Sequence, residues 1–148
     1  MIHVLLDAPE GVSDPSLLEA GVRRALRRRG VERAEVSVAL VDDPVIHELN
    51  RRHLGHDYPT DVISFGLWQP GDPVVVGDIY IGWEQARRQA ADLGVDEGEE
   101  LLRLAVHGAL HVAGMDHPDE AEQRAASEMV RLQEAVVREL LSGDGGIA

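Results

Sequence analysis

The stretch VISFGLWQPGDPVVVGDIYIG, residues 62–82, decides the fold. Its ends are rich in β-branched and aromatic residues, and its middle holds Pro, Gly and Asp. VISFG (62–66) therefore reads as a strand and QPGDP (69–73) as a turn. VVVGDIYIG (74–82) reads as one or two more strands, the hairpin partner of VISFG.

Upstream, GHDYPTD (55–61) is a loop by its Gly, Asp and Pro content. AEVSVALV (34–41) alternates as a half-buried strand does, and IHVLL (2–6) is a short first strand. Asp14-Pro15 starts a helix marked by Leu18, Val22, Ala25 and Leu26, ending near Gly30. Asp43-Pro44 starts another, carried to about Leu54 by Val45, Ile46 and Leu49. Downstream, a helix runs from Trp83 to near Gly94. Asp96 caps the next one, which passes through LLRLAVHGALHVA (101–113) to Gly114. The last helix starts at Pro118, with Asp119, Glu120 and Glu122 near its positive end. Its buried stripe is Ala121, Ala125, Met129, Leu132, Val136 and Leu140. Strands first and helices last predict an α+β fold, a four-stranded mixed sheet with helices packed against it. Residues 1–148 read as a single domain, with 142–148 a frayed tail.

The chain has 148 residues, 44% of them hydrophobic, enough for one core. No apolar run approaches the roughly 20 residues of a membrane span, so no membrane partner is expected. No secretory pattern opens the chain, so a cytoplasmic location is expected. Cysteine is absent, which leaves His, Asp and Glu as metal donors. The net charge of −13 argues against charge-driven nucleic-acid binding by the whole surface, though not against a local basic site. All 14 basic residues are arginine. Arg23, Arg24, Arg27, Arg28 and Arg29 crowd the first helix, and a solvated face paired with nearby glutamates is the favoured reading.

HGALHVAGMDH, residues 107–117, holds three of the seven histidines. His107 and His111 stand four apart, on one face of a helix. Gly114 can turn the chain and bring His117 back to the same point. Three imidazoles match zinc with a fourth position open, the arrangement of a catalytic site. Nickel or another transition metal also suits imidazole. Zinc proteases follow their first histidine with glutamate; Gly108 stands there, so a peptidase would lack its base.

With these residues, the chain resembles the YbeY-type endoribonucleases, the bacterial rRNA maturation factors, whose signature is HGxLHLxGxDH. Leu49-Asn50, PTDVISF at 59–65, and GDIYI at 77–81 followed by Gln85, Ala86, Gln89 and Ala90 carry the likeness further, over roughly residues 45–132. The resemblance implies an α+β zinc domain that cleaves single-stranded RNA. It also implies processing of the 16S rRNA 3′ end and ribosome quality control, with the small subunit as partner; the acidic surface suits that subunit's basic proteins. One column departs. Where the family carries an arginine between LN and PTDV, this chain has Leu54. Arg51, Arg52, His53 and His56 are the candidates to contact RNA instead.

Phosphodiester hydrolysis needs an activated nucleophile and stabilised negative charge. A three-histidine zinc supplies a water of lowered pKa and a Lewis acid; the RNA 2′-hydroxyl is another possible nucleophile. No general base is legible. Asp61, Ser64 and Asp116 are the second-tier catalytic candidates. Asp116 either orients a ligand histidine or stabilises a turn. Two alternatives stay open: a non-catalytic ribosome assembly factor with a structural zinc, and a metallohydrolase of another substrate.

Overall fold

The computed structural model describes residues 1–12, 14–55, 60–115 and 122–143. The strands are β1 (Ile2–Asp7), β2 (Ala34–Val41), β3 (Val62–Gly66) and β4 (Val75–Gly82). The helices are α1 (Pro15–Arg28), α2 (Asp43–Leu54), α3 (Trp83–Leu93), α4 (Glu97–Val112) and α5 (Glu122–Ser142). The sheet order is β1-β2-β4-β3. β1 and β4 run parallel to β2, while β3 and β4 form the antiparallel hairpin. VVVGDIYIG thus gives a single strand, and the sheet is mixed, four-stranded and covered by helices, as the α+β reading expects.

Alternation does the sorting. Ala34, Val36, Val38 and Leu40 of β2, with Val75, Ile79 and Ile81 of β4, turn into the core. They meet Leu101, Leu102, Ala105, Val106, Ala109 and Leu110 of α4. α4 is apolar nearly all round, as befits a helix with neighbours on most sides. It packs on β3 and β4 and is flanked by α1, α3 and α5. On α5, Met129, Val136 and Val137 are buried, with Leu132 and Leu140 half-buried against the core. The expected start at Pro118, and the burial of Ala121 and Ala125, lie outside the described residues, as do the last five residues of the tail.

Helix starts differ in detail from the sequence reading. Asp42, not Asp43, caps α2: its carboxylate accepts from the Val45 amide at 3.2 Å, and Pro44 sits inside the first turn. Asp14 holds the cap position of α1 at φ 52°, a left-handed conformation that Asp tolerates, but its carboxylate binds the Ser16 hydroxyl at 2.7 Å instead of a helix amide. Asp96 caps α4 as expected, accepting from Gly98 at 3.0 Å.

The α1 arginines join elements. Arg24 and Arg28 share Glu139 of α5 at 3.2 and 2.7 Å. Arg23 pairs with Glu19 at 2.8 Å and donates to the Ile2 carbonyl. The paired-face reading therefore accounts for these three. Among the described residues no helix is long and apolar enough to cross a membrane.

Candidate metal centre and cleft

The two described histidines of the HGALH motif sit where α4 crosses the sheet most closely. Gly108 faces Ile79; a Cβ there would lie 2.7 Å from Ile79 Cγ2. One turn on, Val112 presses on Gly77 of β4, where a Cβ would lie 2.5 Å from Val112 Cγ1. With this face of α4 seated on β4, His107 and His111 project from another into a cleft. The residue after His107 therefore points at the sheet. A protease-type glutamate at position 108 would meet Ile79.

The cleft has a volume of about 360 Å³ and is lined by Leu54, Val62, Ile63, Ser64, His107, His111 and Gly114. The imidazoles meet edge to face, with ring centroids 4.6 Å apart and planes at 78°. Their Nε2 atoms lie 3.1 Å apart. Two nitrogens of a tetrahedral zinc, each at about 2.0–2.1 Å, stand about 3.3 Å from one another. The pair therefore fits an ion with little adjustment. Gly114 takes φ 99° and turns the chain beyond α4, its amide donating to the His111 carbonyl at 3.0 Å. Where that turn leads, His117 and Asp116 lie outside the described residues, and so does His56. Among the described residues no three His, Cys, Asp or Glu side chains are arranged to hold a metal ion.

Ser64 is on the cleft wall. Asp61 is occupied beside it: its carboxylate accepts from the Val62 amide at 2.8 Å and from Gln89 Nε2 at 3.4 Å. That bonding fixes the start of β3 and so the place of Ser64. Arg51 and Arg52 both pair with Glu48, at 2.6 and 3.2 Å. His53 meets Phe65 edge-on, with centroids 5.2 Å apart. None of these three lines the cleft. Leu54 does, with 51% of its surface exposed.

Gln133 is the residue that sequence reasoning passed over. It stands four positions after Met129 on the buried side of α5 and is only 8% exposed. Its Oε1 lies 2.8 Å from His107 Nδ1, and its Nε2 donates to Glu134 at 3.0 Å. A glutamine within a helix's apolar stripe was the available signal, because a buried amide needs partners. Glu134 is gripped by Arg103 through two bonds, at 2.8 and 3.0 Å. This guanidinium holds the Glu134 carboxyl below its usual range, and partial burial opposes the effect. Arg103 also binds Glu99 and the buried Glu100, and Glu134 above all pushes its own pKa up.

Trp68 closes the far end of α4. Its indole Nε1–H donates to the Val112 carbonyl at 2.6 Å, one of the carbonyls a helix end leaves without an internal partner. Trp68→Phe keeps the ring and removes the donor. It is expected to cost about 1 kcal/mol in urea unfolding; an unchanged midpoint would show that water replaces the bond freely.

The family model described as Endoribonuclease YbeY matches residues 14–141. A relative named Endoribonuclease YbeY from Desulfitobacterium hafniense is 45% identical over 134 residues, covering 84% of this chain and 83% of its own. One of the same name from Moorella thermoacetica is 42% identical over 142 residues, covering 88% and 89%. The solution structure of TM1509 from Thermotoga maritima superposes with a TM-score of 0.68 at 30% identity, covering 97% of this chain and 91% of that one. The half-open histidine cleft on α4 is thus set in a chain that belongs to the YbeY endoribonuclease family.

Proposed function

We propose that this protein is a metal-dependent endoribonuclease of single-stranded RNA. In this reading it matures the 16S rRNA 3′ end and takes part in ribosome quality control, in the cytoplasm and in contact with the small subunit and its basic proteins. Zinc is the proposed ion, held by His107, His111 and His117. The observation that carries the reading is the convergence of two imidazole Nε2 atoms, 3.1 Å apart, in an open cleft. When bound, zinc supplies a Lewis acid and a water that ionises near neutral pH.

The chain's own residues do the rest. His107 and His111 present their Nε2 atoms from a helix packed into the core, so little ordering is needed when a ligand arrives. The Ser64 hydroxyl can donate to a phosphate or ribose oxygen. Leu54, Val62 and Ile63 offer an apolar wall to a base.

The same wall favours a second reading. Among the described lining residues there is no arginine or lysine to receive the phosphate. A docking protein with a structural zinc would not need one.

Incubation of a single-stranded 16S 3′-region fragment with the purified chain separates the two. Cleavage is expected, lost with a chelator and restored by zinc. Intact RNA with fully zinc-loaded protein would overturn the nuclease and leave the docking protein.

A further inference from the structure

We propose that Gln133 is a positioning residue that sets the tautomer of His107, with Glu134 and Arg103 fixing Gln133 in turn. The inference rests on the metal reading above and names what prepares that site.

Arg103 has only donors, and its fork takes both oxygens of Glu134, at 2.8 and 3.0 Å. Glu134, ionised beside it, can only accept. The group of Gln133 that lies 3.0 Å from Glu134 must therefore be its NH₂. The amide has no freedom left: its carbonyl Oε1 faces His107 Nδ1 at 2.8 Å. A carbonyl oxygen accepts, so neutral His107 must carry its proton on Nδ1. Nε2 then carries a lone pair and no proton, and it is the atom 3.1 Å from His111 Nε2, at the cleft.

Without such a partner the choice between the two neutral forms is open, and the form protonated on Nε2 cannot bind a metal through that atom. An outer partner of this kind fixes ring orientation as well as tautomer. Burial strengthens the device. Gln133 is nearly sealed from water, so an amide turned the wrong way would face oxygen to oxygen with Glu134 at that distance, with no solvent to soften the contact. Arg103 is tied in addition to Glu99 at 3.1 Å and Glu100 at 3.2 Å on its own helix. Glu100 accepts from Gln89 at 3.0 Å. The anchor of the tautomer is therefore spread over α3, α4 and α5.

The test is nitrogen-15 NMR of the His107 ring in metal-free protein at about pH 8, where imidazole is neutral, together with zinc titration against a competing chelator. Wild type is expected to show protonated Nδ1 and unprotonated Nε2. Gln133→Leu is expected to lose that preference and to bind zinc about 10- to 100-fold more weakly. Glu134→Gln removes the carboxylate that fixes which way the Gln133 amide points, and is expected to weaken the preference for a proton on Nδ1. A wild-type His107 protonated on Nε2, or a Gln133→Leu chain with unchanged tautomer and zinc affinity, would overturn the proposal. If Gln133→Leu does not fold, the wild-type and Glu134→Gln rings decide. A wild-type chain that binds no zinc overturns the metal reading instead, and the metal-free tautomer still judges Gln133.

Discussion

Replacing His111 with alanine is expected to lower RNA cleavage by about three orders of magnitude at saturating zinc. His111 supplies one of the two described nitrogens that converge in the cleft. Its loss leaves too few protein ligands for an ion that must also hold substrate. The fold should survive. His111 projects into the cleft, whereas its neighbours Leu110 and Val112 fill the core, and alanine is the better helix former. Initial rates on a single-stranded RNA fragment, read beside the thermal transition of the same sample, separate the two effects. A His111→Ala chain that cleaves at the wild-type rate would remove the histidine pair from the mechanism. A collapsed melting temperature would make the residue structural.

The largest stability loss is expected at Gly77. Alanine there places Cβ 2.5 Å from Val112 Cγ1 and 2.8 Å from the Phe65 carbonyl oxygen. The valine can turn, but the carbonyl belongs to the β3–β4 hairpin and cannot move without breaking pairs. The expected cost is about 3 kcal/mol, at the upper end of ordinary overpacking, or a fall of about 6–12 °C in melting temperature for a domain of this size. Gly66, paired with Gly77 across the hairpin, is the control. A Cβ at Gly66 meets nothing nearer than 3.7 Å, so Gly66→Ala should be nearly silent. Equal effects at the two positions would show that backbone entropy matters here and the close approach of α4 does not.

The elements of this fold were legible because each carries its own period. AEVSVALV alternates, the histidine helix is apolar almost throughout, and Pro-Gly-Asp separates the hairpin strands. The neighbours of a strand are a different matter. Nothing in VVVGDIYIG says that β2 lies on its other side, because pairing is made by backbone groups common to all residues. Asp78 in this central strand would even argue for an edge, were it not answered by the Ser37 hydroxyl at 2.6 Å. At the site, the spacing of His107 and His111 was readable, since helical geometry alone places them together. Gln133 was not, because its meaning depends on a helix that joins α4 only in three dimensions. Leu54 was legible as a departure in a column, and the fold puts it on the cleft wall. Arg51 and Arg52 lay close in sequence, yet Glu48 on the same helix holds them.

The strand order also has a kinetic side. β4 fills the slot beside β2, pairing Val75 with Ala34 and Ile81 with Leu40, so the middle of the sheet closes across a long intervening loop of chain. Such distant parallel pairings are slow to find, since the entropy of closing the loop is lost before contacts repay it. The β1–α1–β2 unit can form while the rest is still leaving the ribosome. α4 can rest on α1 beforehand, but its close seat against Gly77 and Ile79 waits for β4. The two histidines therefore come to face Ser64 only late in folding, and a stalled or truncated chain carries the motif without the cleft.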